Sequence, residues 1–311
     1  MQDGPPGQYN QCMSLTRRTV LAAASVAIVR GQQNRDELQI RARSGLRIKQ
    51  YGDSQRPAIA VFLPSFAAPA AVIEMPEHAW RRVREDNGQS WFYKMYGADA
   101  SQEGKVSWTS TTDMLAFKME TPSGFKLNGS AKLSDSGIAV IYEIISNSER
   151  QLSAVQAVTC VKLYRPFTDV FLERTFVHDE SSLQPIAAET PERLTKNAEE
   201  WLPCRYICRV GGGTTAYRVE KLDGVTRYFR SRSADAPFIA TESDPAGWTA
   251  CTFSRNADSV FTNPARTCHH SDPISLSVSD GRASHGVNVL MMRGTPSDAW
   301  KRVANELKTK A

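Results

Sequence analysis

The chain has 311 residues, of which 41% are apolar and 23% are charged, and its formal net charge is +5. This composition is ordinary for a globular protein and excludes collagen-like, coiled-coil and low-complexity architectures. Lys and Arg are interleaved with Asp and Glu without a basic cluster, so nucleic acid is not expected as a partner.

The N-terminal residues 1–31 have the pattern of an export signal. Arg17 and Arg18 precede the apolar, small-residue run 22–29. A paired arginine before a short apolar run resembles a twin-arginine signal, and the run is too short to span a bilayer. We therefore predict a periplasmic or secreted protein that lacks an integral membrane span and forms one β-sandwich domain over residues 32–311. The alternative is a basic tail before a small buried helix.

Short strands are predicted along most of the mature chain. Apolar and polar residues alternate over 38–63, and further apolar or aromatic runs follow about every ten residues up to 133. The clearest hairpin joins Ile138–Ile145 to the long strand Leu152–Tyr164, and the next strand is predicted over Val170–His178. This spacing is typical of an antiparallel sandwich or barrel.

Two helices are predicted, and both begin with a capping hydroxyl residue followed by proline. The first covers residues 191–201 and has few apolar residues, which favours a surface segment. The second covers 296–308, where Trp300, Val303 and Leu307 recur at helical spacing. The predicted fold class is therefore all-β, an antiparallel sandwich closed by a C-terminal helix.

Five cysteines follow the leader, and an oxidising compartment would allow disulfides among them. Cys251 and Cys268 lie on neighbouring predicted strands, so we expect these two to pair. Cys204 and Cys208 have the spacing of half a zinc site, but small buried strand residues are the simpler interpretation.

The segment from Trp248 to Pro273 is where the sequence concentrates groups that transfer protons. Residues i and i+2 of a strand share a face, so His270 and Asp272 are expected to converge, while His269 points away. The pair predicts an acid–base site or two metal ligands. The alternative is a histidine bonded to a backbone carbonyl and an aspartate that caps a turn.

A second strand is expected to complete this site. Alternation places His178, Phe176 and Arg174 on one face, which would suit a sugar or equally a solvated surface. We predict His178, His270 and Asp272 as catalytic residues around one concave pocket. No metal is assigned and the cofactor is left open, although His178 and His270 would be the first ligands of any divalent ion. The predicted substrate-binding residues are Arg174, Trp248, Asn263 and Arg266.

One stretch resembles a known fold family. Tyr142-Glu143-Ile144-Ile145-Ser146-Asn147, a polar turn, and the long strand from Leu152 resemble the central hairpin of galactose mutarotase-like domains. The resemblance implies a β-supersandwich and a sugar-related role. It departs where the epimerases carry a catalytic histidine on the returning strand, because Thr159-Cys160-Val161-Lys162 stands there. No epimerase residue is therefore carried over.

Three functional hypotheses follow. The first is an exported carbohydrate-active hydrolase, lyase or isomerase with a saccharide as partner, and the second is a non-catalytic carbohydrate-binding domain. The third is a structural protein of the cell envelope. Proximity of His178 to His270 in an aromatic-lined pocket would favour the first, and a shallow aromatic groove would favour the second. Hydrolase, zincin and dinucleotide-binding motifs are absent from the sequence.

Overall fold

The computed structural model of the protein describes residues 38–51, 57–84, 90–96, 106–120, 124–146, 154–180, 182–190, 203–222 and 224–308. The predicted export signal and the predicted helix 191–201 lie outside these ranges. Export and the domain boundary at residue 31 therefore stay predictions.

The described residues fold into two large sheets. Sheet A contains eleven strands, which are β1 (Gln39–Arg41), β2 (Arg47–Tyr51), β3 (Ala58–Phe62), β4 (Ala71–Arg84), β5 (Ser90–Tyr96), β10 (Val155–Leu163), β13 (Cys204–Arg209), β14 (Arg218–Leu222), β15 (Val225–Phe229), β18 (Ser259–Asn263) and β19 (Cys268–Asp272).

Sheet B contains ten strands, which are β6 (Val106–Ser110), β7 (Met114–Glu120), β8 (Phe125–Leu133), β9 (Gly137–Ser146), β11 (Thr175–Asp179), β12 (Ser182–Pro185), β16 (Phe238–Glu242), β17 (Trp248–Phe253), β20 (Val278–Ser279) and β21 (Arg282–Arg293). One α-helix, α1 (Pro296–Lys308), follows the last strand, and a 3-10 turn covers Pro264–Arg266.

The strand order determines which side chains can meet. Sheet A runs β1-β2-β3-β4-β10-β19-β18-β13-β15-β14, with β5 paired to β4, and sheet B runs β12-β11-β16-β17-β21-β9-β8-β7-β6, with β20 paired to β21. The described pairs are antiparallel except β13 with β15. The predicted all-β, antiparallel supersandwich with a C-terminal helix is thus confirmed.

The main core lies between the two sheets and follows the alternation of the strands. On β9, Ile138, Val140, Tyr142 and Ile144 are buried, each at 2% exposure or less, and Ile141 between them is 58% exposed. β-branched and aromatic side chains suit such half-buried pleated surfaces. A separate apolar cluster forms where α1 packs on the outer face of sheet B.

One predicted strand is shorter than expected. The segment before β11 turns at Leu172, whose φ of 55° lies in the left-handed region. The Asp169 carboxylate accepts hydrogen bonds from the backbone N–H groups of Glu173 and Arg174 (3.1 and 2.9 Å), which holds this turn. The strand therefore begins at Thr175, and Arg174 lies outside it. No helix in the described ranges combines the length and apolar character that a membrane crossing requires.

Candidate functional site

The outer face of sheet A carries reactive side chains from three neighbouring strands, β4, β10 and β19. His269 of β19 points between the sheets, where its Nε2 lies 2.7 Å from Thr241 Oγ1 on β16. Because side chains alternate along a strand, Cys268 and His270 point to the opposite, outer face. Opposite them on β10, in register with Cys268, lies Lys162.

Three of these side chains form a compact group, the thiol–histidine cluster, made of Cys160, Cys268 and His270. The Cys268 sulfur lies 3.2 Å from His270 Nε2, and the His270 ring stacks on Phe261 of β18 with centroids 4.0 Å apart. Each member of the cluster is 1% exposed. The cluster is therefore a buried feature of the sheet face.

The protonation of the cluster is set by its own members. The hydrogen bond with Cys160, assisted by the nearby His270, lowers the pKa of Cys268. Burial, with the hydrogen bond to Cys268, raises the pKa of Cys160. Burial opposes a charged His270, but the neighbouring Cys268 outweighs it and raises the pKa of His270. A proton is thus favoured on His270 and on Cys160, and disfavoured on Cys268. His269, on the inner face, has its pKa lowered to about 3 by burial and is neutral.

A charged pair borders the cluster. Glu74 of β4 lies directly opposite Cys160, and its Oε1 accepts a hydrogen bond of 2.6 Å from the Lys162 ammonium. Burial lowers the pKa of Lys162, but the hydrogen bond and charge of Glu74, together with the nearby Cys160 and Glu77, outweigh it, so the pKa is raised and the ammonium is retained. The second oxygen of Glu74 is buried and lacks a hydrogen-bond partner among the described residues.

The Lys162 member of this charged pair lines a surface pocket. A pocket of about 380 Å³ is lined by Lys162, Tyr164, Thr168 and Ala265, together with Leu163. Tyr164 is 42% exposed, so its ring is available to a ligand. Lys162 therefore links the pocket to Glu74.

Asp272 occupies a structural position at the edge of this face. Its Oδ1 accepts hydrogen bonds from the Thr159 backbone N–H and from His285 Nε2 of sheet B, both at 3.0 Å. The Thr159 hydroxyl lies 3.1 Å from the Tyr142 hydroxyl, so the two sheets are joined by polar contacts here. His270 Nδ1 lies 3.9 Å from Asp272 Oδ2, which is too long for a hydrogen bond.

His178 lies on the other side of the molecule. It projects from the outer face of sheet B, where its ring stacks on Trp300 of α1 with centroids 3.9 Å apart. Its Nδ1 lies 2.9 Å from Asp235 Oδ2. His178 and His270 are thus on opposite outer faces of the sandwich. The expected shared pocket is wrong, because alternation along β11 does not reveal which sheet the strand joins or that α1 covers it.

The predicted substrate-binding residues are dispersed. Arg174 donates hydrogen bonds to the carbonyl oxygens of Glu242 and Thr168 (2.7 and 2.6 Å), which is a structural role. Trp248 lies under the Arg293 guanidinium, beside a different pocket of about 260 Å³. Of the predicted binding residues with described side chains, Asn263 lies on the face that carries His270, opposite Cys268 in register. The side chain of Arg266 is outside the described part of the structure.

The expected disulfide is also corrected. The five cysteines Cys160, Cys204, Cys208, Cys251 and Cys268 are free thiols. Cys251 packs under α1 on sheet B, whereas Cys268 lies on the outer face of sheet A. A disulfide needs Cα atoms within about 7 Å, which this placement excludes.

The sequence interpretation does not assign four residues to a functional site: Glu74, Cys160, Lys162 and Cys268. The available signal was the pair of i, i+2 spacings, Cys160 with Lys162 and Cys268 with His270, which place each pair on one strand face.

No protein-family model and no curated protein matches the chain. Among solved structures, it is similar to a candidate aldose 1-epimerase of Escherichia coli K12, with 10% identity, 83% of this chain and 99% of that chain covered, and a TM-score of 0.47. A galactose mutarotase related enzyme of Lactobacillus acidophilus gives 9% identity, coverage of 84% and 98%, and a TM-score of 0.45.

An alpha-N-acetylgalactosaminidase of Bifidobacterium bifidum gives 13% identity, 85% coverage of this chain, 38% coverage of that chain and a TM-score of 0.44. The sheet topology defines the protein as an antiparallel β-supersandwich with a C-terminal helix.

Proposed function

We propose that the protein is a carbohydrate-active protein that takes a saccharide into the pocket lined by Lys162, Tyr164, Thr168 and Ala265. The observation that carries the proposal is the position of Lys162, which lines the pocket and holds Glu74 at 2.6 Å. A ligand in this pocket meets the ammonium of that charged pair and an exposed aromatic ring together.

These groups suit a sugar for ordinary chemical reasons. An aromatic ring packs against the apolar face of a pyranose, and charged groups bond its hydroxyls. Glu74 lies behind Lys162, outside the lining of the pocket, and its Oε2 is buried and accepts no hydrogen bond from the described residues. In a catalytic site, a ligand that reaches past Lys162 would give Glu74 a proton from a bound hydroxyl. The catalytic version of the proposal assigns this role to Glu74 and the orienting role to Lys162.

A non-catalytic binding module is the second candidate. It is favoured by the burial of Cys160, Cys268 and His270, each 1% exposed, which keeps the other titratable groups of this face from a ligand. Turnover separates the two candidates, because Glu74→Gln abolishes activity in the first and changes affinity alone in the second.

Calorimetric titration of the protein with a panel of oligosaccharides tests the location of the site. Tyr164→Ala should weaken binding about threefold to tenfold, since an aromatic contact contributes about 0.5–1.5 kcal/mol. Tyr217→Ala, at an exposed tyrosine just before β14 at the far edge of the same sheet, is the matched control. Loss of binding in Trp248→Ala with full binding in Tyr164→Ala would move the site to the other pocket. Absence of binding across the panel would favour the structural envelope protein.

We propose in addition that residues 1–31 direct export. Support comes from Arg17 and Arg18 before the apolar run 22–29. N-terminal sequencing of the mature protein should find a start near residue 32, and replacing both arginines with lysine should block transport. A mature chain that retains Arg17 would contradict the proposal.

A further inference from the structure

The thiol–histidine cluster has the donor set of a transition-metal site. The two sulfur atoms and one His270 ring nitrogen all lie within 4.8 Å of one another. Zinc bonds of about 2.3 Å to sulfur and about 2.0 Å to nitrogen place tetrahedral ligand atoms roughly 3.5–3.8 Å apart. To surround an ion, the 3.2 Å separation of the Cys268 sulfur and His270 Nε2 widens slightly, and the other separations contract by about 1 Å at most.

Three buried atoms around the cluster lack partners among the described residues: His270 Nδ1, Asp272 Oδ2 and Glu74 Oε2. Buried polar atoms without partners are costly and call for a physical reason. His270 Nδ1 and Asp272 Oδ2 lie 3.9 Å apart, so a small ring movement toward a metal-bound geometry would join them. A ligating histidine commonly donates its other N–H to a carboxylate in this way.

The third unpartnered atom belongs to a carboxylate beside the cluster. Oxygen atoms of Glu74 and Glu77 and the Cys160 sulfur lie within 4.8 Å of one another, so a carboxylate borders the cluster. Lys162 bonds Glu74 Oε1 at 2.6 Å and is the nearest cation to this carboxylate that the described contacts show. With both thiols deprotonated, the cluster and Glu74 carry three negative charges against the single charge of Lys162, and a divalent cation offsets the remainder.

We propose that Cys160, Cys268 and His270 bind one zinc ion. Two sulfur ligands and one imidazole suit zinc, whereas calcium and magnesium take oxygen ligands. On binding, Cys160 and one ring nitrogen of His270 each release a proton to solvent, and the two sulfur atoms and that nitrogen form bonds to the ion. The proposal does not depend on a saccharide ligand, so failure of either leaves the other standing.

Metal analysis of the tag-free full chain tests the proposal. The protein is purified under reducing conditions, loaded with zinc and dialysed, and its metal is measured by elemental mass spectrometry. We expect one zinc per chain, and loss of that zinc in Cys160→Ser and in Cys268→Ser. Cys204→Ser, which changes a buried cysteine outside the cluster, is the control and should retain the ion.

Cobalt substitution gives a readout that needs no variant. Cobalt bound to the unmodified chain should show intense thiolate-to-cobalt charge-transfer bands, which zinc then displaces. A chain without these bands, or one that retains zinc after both cysteines are replaced by serine, would overturn the site. A Cys160–Cys268 disulfide in the protein isolated without reductant, with no metal taken up after reduction, would overturn it as well.

Discussion

His285 of sheet B donates a hydrogen bond of 3.0 Å to Asp272 of sheet A, across the space between the two sheets. Asp272 Oδ1 also accepts the Thr159 backbone N–H, on the β10 residue where the pairing with β4 shifts register. Two buried donors thus depend on one carboxylate oxygen.

Asp272→Ala should therefore destabilise the fold. It leaves two buried donors without an acceptor, each at a cost of about 1–3 kcal/mol, so the free energy of unfolding should fall by about 2–5 kcal/mol. Urea denaturation measures the change. Asp272→Asn retains an acceptor oxygen and should cost less. Unchanged stability together with lost saccharide turnover would restore the catalytic role expected from the sequence.

His178 should likewise behave as a structural residue. Its ring packs on Trp300 and bonds Asp235, so His178→Ala removes a stacked contact beneath α1. We expect a loss of about 1–3 kcal/mol in thermal or urea unfolding. Saccharide binding and metal content should match the unaltered protein, because the residue lies on the opposite outer face from His270. A defect in binding without a change in stability would contradict this placement.

The contrast between His270 and His178 shows how much of the fold and the site local sequence patterns can predict. The alternation of β9 and β10 predicts their strands and inward faces, and the spacing of Trp300, Val303 and Leu307 predicts α1. The proximity of His270 to Asp272, with Nδ1 and Oδ2 3.9 Å apart, can be predicted because an i, i+2 relation on one strand is local. Glu74 and Lys162 are 88 residues apart, and their contact depends on the pairing of β4 with β10, which alternation does not encode. The expectation that His178 shares a pocket with His270 is wrong for the same reason, since strand periodicity does not show which sheet a strand joins.

A buried ion pair joins Arg230 to Asp179, and its contribution to stability can be measured by substitution. The Arg230 guanidinium donates a hydrogen bond of 2.6 Å to Asp179 Oδ2, and both side chains are at most 5% exposed. Arg230→Met should destabilise the protein by about 3–5 kcal/mol, because it leaves the Asp179 carboxylate buried without its partner. Urea unfolding of the double variant Arg230→Met/Asp179→Leu should recover most of that loss. A double variant as unstable as the single one would show that the charged pair itself supplies the stability.

The start of α1 carries a pH-dependent contribution to stability. Asp298 Oδ2 accepts hydrogen bonds from the Thr295 backbone N–H and hydroxyl (3.0 and 2.8 Å), and the Asp298 backbone N–H donates to Thr295 Oγ1 (3.3 Å). The hydrogen bond from the Thr295 backbone is the main cause that lowers the pKa of Asp298. A carboxyl whose pKa is lowered by folding stabilises the protein above its unfolded pKa of about 3.9, and this contribution is lost as the pH falls through the folded value.

Asp298→Asn should therefore be less stable than the unaltered protein at neutral pH, and the difference should shrink once the pH falls below about 4. Thermal unfolding across this acid range measures the difference. Ser297→Ala changes an exposed neighbour in the same turn and retains the carboxylate, so its stability should follow the pH profile of the unaltered protein. Parallel profiles for Asp298→Asn and the unaltered protein would mean that the charge at the helix start contributes nothing, and that Thr295 alone caps α1.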